Sequence, residues 1–202
     1  EGVHVSRSPQ AGLELLFDLM TLDDALHQRG QAGPDDLPRA IDRLSAATRF
    51  FTMPDHRLAG FQGGAATGPR RIAAALAHEE TEPPSRRKAP HAGYERLESA
   101  SIAVIVDAGR PAHGRWSVTA CAQPAALEIV CGVDRLIVGC GWTADSGASH
   151  ALRLTDAAST ANIADMSAGQ PLRGFAAAAL GPRLVGAPRK VEAKRHDAEA
   201  AA

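Results

Sequence analysis

Glu82-Pro83-Pro84-Ser85-Arg86-Arg87-Lys88-Ala89-Pro90 divides the 202-residue sequence into two parts with different periodicities. Its three prolines remove backbone donors and fix φ, and the other residues are polar or small, so the stretch reads as a linker. On its N-terminal side the pattern is helical. Ser8 is a cap, Pro9 suits the first helical position, and Leu13, Leu16, Phe17 and Met20 recur on one face. Leu15, Leu19, Leu22 and Leu26 add a second stripe, which predicts a helix packed between other helices. Gly30, Gly33 and Pro34 end it. A second helix begins near Pro38, turns Ala40, Ile41, Leu44, Ala47 and Phe51 inward and stops before Pro54. After a glycine-rich break, a short helix covers 71–78.

On the C-terminal side of the linker the period changes. The β-branched run 101–106 predicts a strand ending in the turn Asp107-Ala108-Gly109, and further strands are expected at 116–120, 125–131 and 135–140. Gly132-Val133-Asp134 joins the last two as a tight hairpin. The segments 151–160 and 184–195 are weaker strand candidates, and 175–180 fits either helix or strand. Short strands without long intervening helices predict an antiparallel sandwich. The expected class is therefore α+β with two domains: helices over 1–81, a linker over 82–92 and a sandwich over 93–202.

Composition narrows the function classes. With 45% hydrophobic residues, disorder of the whole chain is excluded. The balance of 22 Lys+Arg against 23 Asp+Glu, net −1, lacks the concentrated positive charge of a dedicated nucleic-acid or polybasic membrane binder. The apolar runs are too short for a transmembrane helix. Cys121, Cys131 and Cys140 form no CxxC pair, and they read as small buried hydrophobes. The opening Glu1-Gly2-Val3-His4, without an initiator Met, and the Ala-rich end suggest a piece of a longer protein, so a signal peptide is not observable.

Several segments invite chemistry. Gly63-Gly64-Ala65-Ala66-Thr67-Gly68 has P-loop spacing, but Pro69-Arg70 follows where Lys-Ser or Lys-Thr is needed, so it reads as a flexible connector. Ser146 and Ser149 near His150 lack a nucleophile elbow and read as a polar loop. His78-Glu79-Glu80 lacks the second histidine of a zinc-protease helix, and Arg86-Arg87-Lys88 reads as a solvated cluster. His4 and Arg7 are different, because they sit just ahead of a helix N-terminus, where amides and the helix dipole favour anions. A sugar carboxylate would suit such a site. The alternative is that Arg7 braces the helix start and His4 lies on a connecting loop.

Those residues also carry a resemblance. Gly2-x-His4-x-x-Arg7-Ser8-Pro9 before a Leu-rich helix resembles the Asp-Gly-Gly-His-x-x-Arg-Ser-Pro motif of heparinase II/III-like proteins. The order continues through Ala40-Ile41-Asp42-Arg43-Leu44, Arg49-Phe50-Phe51, Phe61-Gln62-Gly63-Gly64, Gly93-Tyr94-x-Arg96-Leu97, Val106-Asp107-Ala108-Gly109 and Arg135-Leu136-Ile137-Val138 before Cys140-Gly141. The resemblance implies the last helices of an (α/α) toroid followed by a β-sandwich, incomplete at both ends. It also implies polysaccharide lyase activity, a carbon–oxygen β-elimination on uronic-acid glycans, in the bacterial cell envelope or periplasm. The implied partner is an anionic polysaccharide or oligosaccharide, bound or neutralised by His4 and Arg7.

The sequence departs from that pattern where proton transfer would occur. A Tyr-His pair that follows the arginine motif is replaced by Ala11 and Gly12, and the histidine of a Thr-Ala-Ala-His-Ser-Thr motif by Ala158. The position of a His-x-Asp metal pair reads Cys121-Ala122-Gln123, so neither metal nor cofactor is expected. Tyr94, the only tyrosine, matches a structural motif and is expected as a buried aromatic. Two readings follow: a lyase fragment whose proton-transfer groups lie elsewhere, or a non-catalytic glycan-binding or envelope relative.

Overall fold

The computed structural model describes residues 1–64, 67–77, 88–143, 147–188 and 190–194. Helix α1 covers Pro9–Gln28, with the Ser8 side chain accepting from the Ala11 amide at 3.3 Å, and α2 covers Leu37–Phe51. Both end as the sequence predicts, at Gly30 and ahead of Pro54. Helix α3 is Pro69–Leu76. Leu13 and Leu16 of α1 are fully buried, whereas Leu15 and Leu19 of the second stripe are half-buried and Leu22 is exposed. Among the described residues, that stripe is not sandwiched between helices.

Strands β1 (Lys88–Ala89), β2 (Tyr94–Glu98), β3 (Ile102–Asp107), β4 (Leu127–Cys131) and β5 (Asp134–Ile137) form one antiparallel sheet in sequence order. The last residues of the stretch read as a linker are thus strand β1, while 82–87 lie outside the described residues. A second antiparallel sheet pairs β6 (Gln170–Pro171) with β7 (Leu184–Val185), and α4 (Gly174–Leu180) lies between them in sequence.

Alternation along β3 buries Ala103, Ile105 and Asp107 on one face. That face joins Tyr94 and Val130 to Leu13, Leu16, Ile41, Leu44, Phe51 and Ile72, so the helices and the five-stranded sheet share one hydrophobic core. Its aromatic centre is Tyr94, edge-on to Phe51 at 4.8 Å between centroids and tilted against Phe61 at 5.4 Å.

The buried sheet face also carries charge, and each charge has partners. Glu128 of β4 accepts from the Gly60 and Gly139 amides at 3.0 Å, and Arg135 of β5 reaches it at 3.3 Å while bonding Asp55 at 2.6 Å. Arg96 of β2 donates to the Phe50 and Thr52 carbonyls at the end of α2. These bonds tie the helical layer to the sheet at its far ends.

Three strand expectations are corrected. Residues 116–120 are not a strand, because Gly114, with φ of +60°, opens a 3₁₀ turn over Gly114–Val118 that the Ser117 hydroxyl closes onto the Gly114 carbonyl at 2.8 Å. Residues 151–160 hold two 3₁₀ turns. They are pinned by the buried Arg153 side chain, which donates to the Ala120, Pro182 and Ser117 carbonyls, and by Thr155 Oγ1 on the Ala122 carbonyl. Within the described part of 184–195 only Leu184–Val185 is strand, and 175–180 is helical. Of the cysteines only Cys121 is buried; Cys131 is intermediate and Cys140 exposed.

Candidate functional site

Arg7 has a left-handed backbone, φ +65°, and its amide bonds the His4 carbonyl at 2.7 Å. This tight turn feeds the chain into α1 and fixes where both side chains go. His4 is half-buried. Its Nδ1 accepts the Ser6 amide at 3.2 Å and lies 2.7 Å from the Ser6 hydroxyl, which leaves Nε2 to carry the ring proton. Burial lowers the His4 pKa, so the imidazole is neutral at pH 7.

Arg7 turns inward. Its Nε donates to the Ala92 carbonyl at 2.8 Å, both terminal nitrogens bond the Asp107 carboxylate, and the guanidinium lies 4.7 Å over the Tyr94 ring. The residue is only 7% exposed and Asp107 only 1%. Burial by itself would lower the Arg7 pKa, but Tyr94 and Asp107 more than offset it, so the cation is held. Asp107 also accepts from Gln62 Nε2 at 2.7 Å, Gln123 Nε2 at 3.3 Å and the Gly109 amide at 3.4 Å, and Gln62 Oε1 takes the Cys121 amide at 2.9 Å. The charge of Arg7 is thus spent inside the fold.

Gln62, Asp107 and Gln123 each fall in a separate sequence motif, and nothing in the spacing of those motifs joins them into this hub. A signal existed, because Asp107 falls on the inward parity of Ala103 and Ile105, and a charge at such a position demands a partner. The loop read as a flexible connector is likewise corrected at its start. Gly64 is buried, and a Cβ on Gly63 would lie 2.9 Å from the Thr119 carbonyl oxygen; Ala65 and Ala66 lie outside the described residues.

His4 and the edge of Arg7 open onto a cleft of about 710 Å³, walled by the turn before β2, by Arg110 to His113, and by Val191 and Ala193. The carboxylate of Glu1 closes one end by accepting the His91 and Ala92 amides at 3.0 and 2.8 Å. Trp116 meets His4 edge-on at 6.3 Å, is 41% exposed, and carries Arg115 stacked 4.7 Å from its ring centroid. The cleft therefore offers a neutral imidazole and the exposed cation Arg110, with Trp116 packed beside His4 though not part of the cleft wall, a combination able to bind an anionic sugar.

The positions matching the family's proton-transfer residues lie in two places. Ala11 is half-buried on α1, and Gly12 is buried with the His4 Cβ 3.8 Å from where its own Cβ would stand. Ala158 instead lines a separate cavity of about 20 Å³ with Trp142, Gln62 and Gln123. Tyr94 is fully buried, its hydroxyl donates to the Arg7 carbonyl at 2.9 Å, and burial pushes its pKa well above 10. Among the described residues no group of three or more His, Cys, Asp or Glu side chains could hold a metal. No helix there is long and apolar enough to cross a membrane. His150 contacts Arg173 at 2.5 Å through Nδ1, Ser149 is half-buried in a turn, and Ser146, His78 to Glu80 and Arg86 to Arg87 lie outside the described residues.

The sequence model of the family described as "Heparinase II/III-like, C-terminal" matches residues 81–201. FtsZ-localized protein C of Caulobacter vibrioides (strain NA1000 / CB15N) is 61% identical over 197 residues, covering 98% of this chain and 34% of that protein. The chain thus spans about a third of the length of this curated relative. A crystal structure of heparinase III matches with a TM-score of 0.60 over 85% of this chain and 34% of its own, at 14% identity. A heparinase III with methylated lysines matches with a TM-score of 0.59 over 78% of this chain and 29% of its own, also at 14%. At that identity the likeness to both is one of fold.

Proposed function

This chain belongs to the heparinase II/III-like family, and we propose that within it the chain serves as a non-catalytic module that holds an anionic glycan of the cell envelope in the His4 cleft. The observation that carries this reading is the commitment of Arg7 to Asp107 and the Ala92 carbonyl. β-Elimination beside a uronate needs a cation on the carboxylate, a base for the adjacent proton and an acid for the leaving oxygen. Here the cation is internal, the Tyr94 hydroxyl is buried on a carbonyl, and Ala11, Gly12 and Ala158 have nothing to transfer. On this reading Arg7 shapes the site and His4, with Trp116 and Arg110, contacts the sugar. The Caulobacter relative is named for localization with FtsZ, which supports a structural task for this chain over polymer degradation.

A lyase reading rests on one feature, the neutral His4 imidazole, which could act as a base if upstream helices of the parent protein supplied the acid and the cation. The two readings separate in one experiment with the complete parent protein. It is incubated with heparan-type, alginate-type and bacterial envelope uronans while absorbance from unsaturated uronate ends and binding are both recorded. Binding that His4→Ala weakens, without new absorbance, supports the module. Absorbance that His4→Ala abolishes overturns it in favour of the lyase.

A further inference from the structure

His4 stands two residues ahead of Ser6, and the contacts between them decide which ring nitrogen carries the proton. The turn that the Arg7 amide closes on the His4 carbonyl, at 2.7 Å, brings Ser6 against the imidazole. The Ser6 amide donates to His4 Nδ1 at 3.2 Å. A backbone amide has no lone pair to offer, so a proton on Nδ1 would face another proton, and this nitrogen is held as an acceptor. The Ser6 hydroxyl, 2.7 Å from the same nitrogen, then donates to it as well.

Ser6 is itself fixed. It is buried, and its Oγ accepts the Ser8 amide at 3.3 Å, while the Ser8 hydroxyl caps α1 by accepting from the Ala11 amide. Donors therefore run one way, from the Ser8 amide to Ser6 Oγ and from the Ser6 hydroxyl to His4 Nδ1, starting from the cap of a 20-residue helix. The other ring nitrogen is different. Among the described residues no group bonds His4 Nε2, and that atom is not shut off from solvent. His4 lines the 710 Å³ cleft, so the Nε2 proton is available to an occupant there.

We propose that Ser6 is a positioning residue that locks His4 as a hydrogen-bond donor, so that the cleft receives an acceptor oxygen at Nε2, the carboxylate oxygen of a uronate. The lone pair that a base would need lies on Nδ1, behind Ser6, which fits a binding module and not an eliminating enzyme. The identity of the ligand rests on the glycan reading. The lock does not, because it is measured on the protein alone.

The first arm of the test uses the 202-residue chain with ¹⁵N in its eight histidines. Long-range proton–nitrogen spectra at about pH 8, above the ordinary histidine value, should show His4 as one neutral species with its proton on Nε2 and a hydrogen-bonded, bare Nδ1. Its signals are assigned by their loss in His4→Gln. Ser6→Ala should move the Nδ1 signal and raise the share of ring protonated on Nδ1 about threefold or more, the effect of one net hydrogen bond. Ser6→Thr keeps the hydroxyl and should restore the wild-type pattern. A wild-type His4 protonated on Nδ1 would overturn the proposal whether or not any variant folds, and so would a tautomer and an Nδ1 signal that Ser6→Ala leaves unchanged.

The second arm adds an alginate-type oligouronate to the complete parent protein. His4→Gln, whose side-chain amide still donates, should bind it about threefold or more tightly than His4→Ala. Equal losses in the two variants would remove the donor role. An oligouronate that fails to bind the wild type counts against the glycan reading, and the tautomer of the first arm then decides the lock by itself.

Discussion

The Tyr94 hydroxyl donates to the main-chain carbonyl of Arg7 at 2.9 Å while the Arg7 guanidinium lies 4.7 Å over the Tyr94 ring, so the two residues hold each other at two points. The pair joins the turn ahead of α1 to the first long strand of the sheet, and Asp107 at the end of β3 completes it. Removing the cation strands a buried carboxylate. Arg7→Ala should therefore cost about 3–5 kcal/mol in urea unfolding, whereas Tyr94→Phe, which loses one hydrogen bond and keeps the ring, should cost about 0.5–1.5 kcal/mol. The double change Arg7→Met with Asp107→Leu should cost less than the sum of the two single changes, because the opposite charges leave together, although Gln62 and Gln123 then lose their acceptor. A double change as costly as the sum of its parts would show that the two charges do not depend on each other.

The turn that delivers Ala92 to Arg7 depends on Gly93. Its φ is +74°, and a Cβ there would stand 2.3 Å from the Gly109 Cα, a backbone atom that cannot step aside. Gly93→Ala combines a disfavoured conformation with a clash, and is expected to destabilise by about 2 kcal/mol or more in urea unfolding. It should also perturb the Arg7–Ala92 bond, which the chemical shift of the Arg7 Nε proton reports. An unchanged unfolding midpoint would mean that the turn relaxes freely.

Much of this organisation is written in local pattern. Pro9 behind a Ser8 cap, Pro54 as a stop, and the β-branched run ending at Asp107 each act through neighbours in sequence, and α1, α2 and β3 appear where those signals put them. What escaped were features made by distant partners. Residues 151–160 look strand-like until Arg153 and Thr155 are seen spending their donors on carbonyls of 117–122 and Pro182. His4 and Arg7 stand out by motif and sit together, yet no spacing reveals that Asp107, 100 residues on, takes the guanidinium. That Val191 and Ala193 line the same cleft as His4 is equally invisible, since proximity between chain ends leaves no periodic trace.

The three cysteines should differ sharply in reactivity. Cys121 is 4% exposed, and burial pushes its thiol up to about 12, so almost no thiolate exists near neutrality. Cys140 is exposed and Cys131 intermediate. Alkylation with iodoacetamide at about pH 8, followed by mass spectrometry, should label Cys140 first, Cys131 more slowly, and Cys121 only after denaturant is added. Labelling of native Cys121 at the rate of Cys140 would contradict its burial.

The last prediction concerns acid and stability through the Asp55–Arg135–Glu128 chain. Burial raises the Glu128 pKa above 4.5, and the Gly139 and Gly60 amides and Arg135 reverse only part of that. Its stabilising contribution is therefore complete below the unfolded value and is lost as pH rises through the higher folded value. Asp55 behaves oppositely. Burial alone would raise it, but hydrogen bonds from Arg135 and the Arg57 amide, together with both positive charges, bring it below 3.8, so its contribution is present above that value and lost as pH falls through the folded one. The two groups flank one guanidinium, so together they favour a window bounded below by Asp55 and above by Glu128. In urea unfolding across pH, the wild type should lose stability relative to Glu128→Gln as pH climbs from 4.5, and relative to Asp55→Asn as pH drops below 3.8. A wild-type minus Glu128→Gln difference that stays flat, or that grows with rising pH, would show that the buried carboxylate is fully compensated by its three donors.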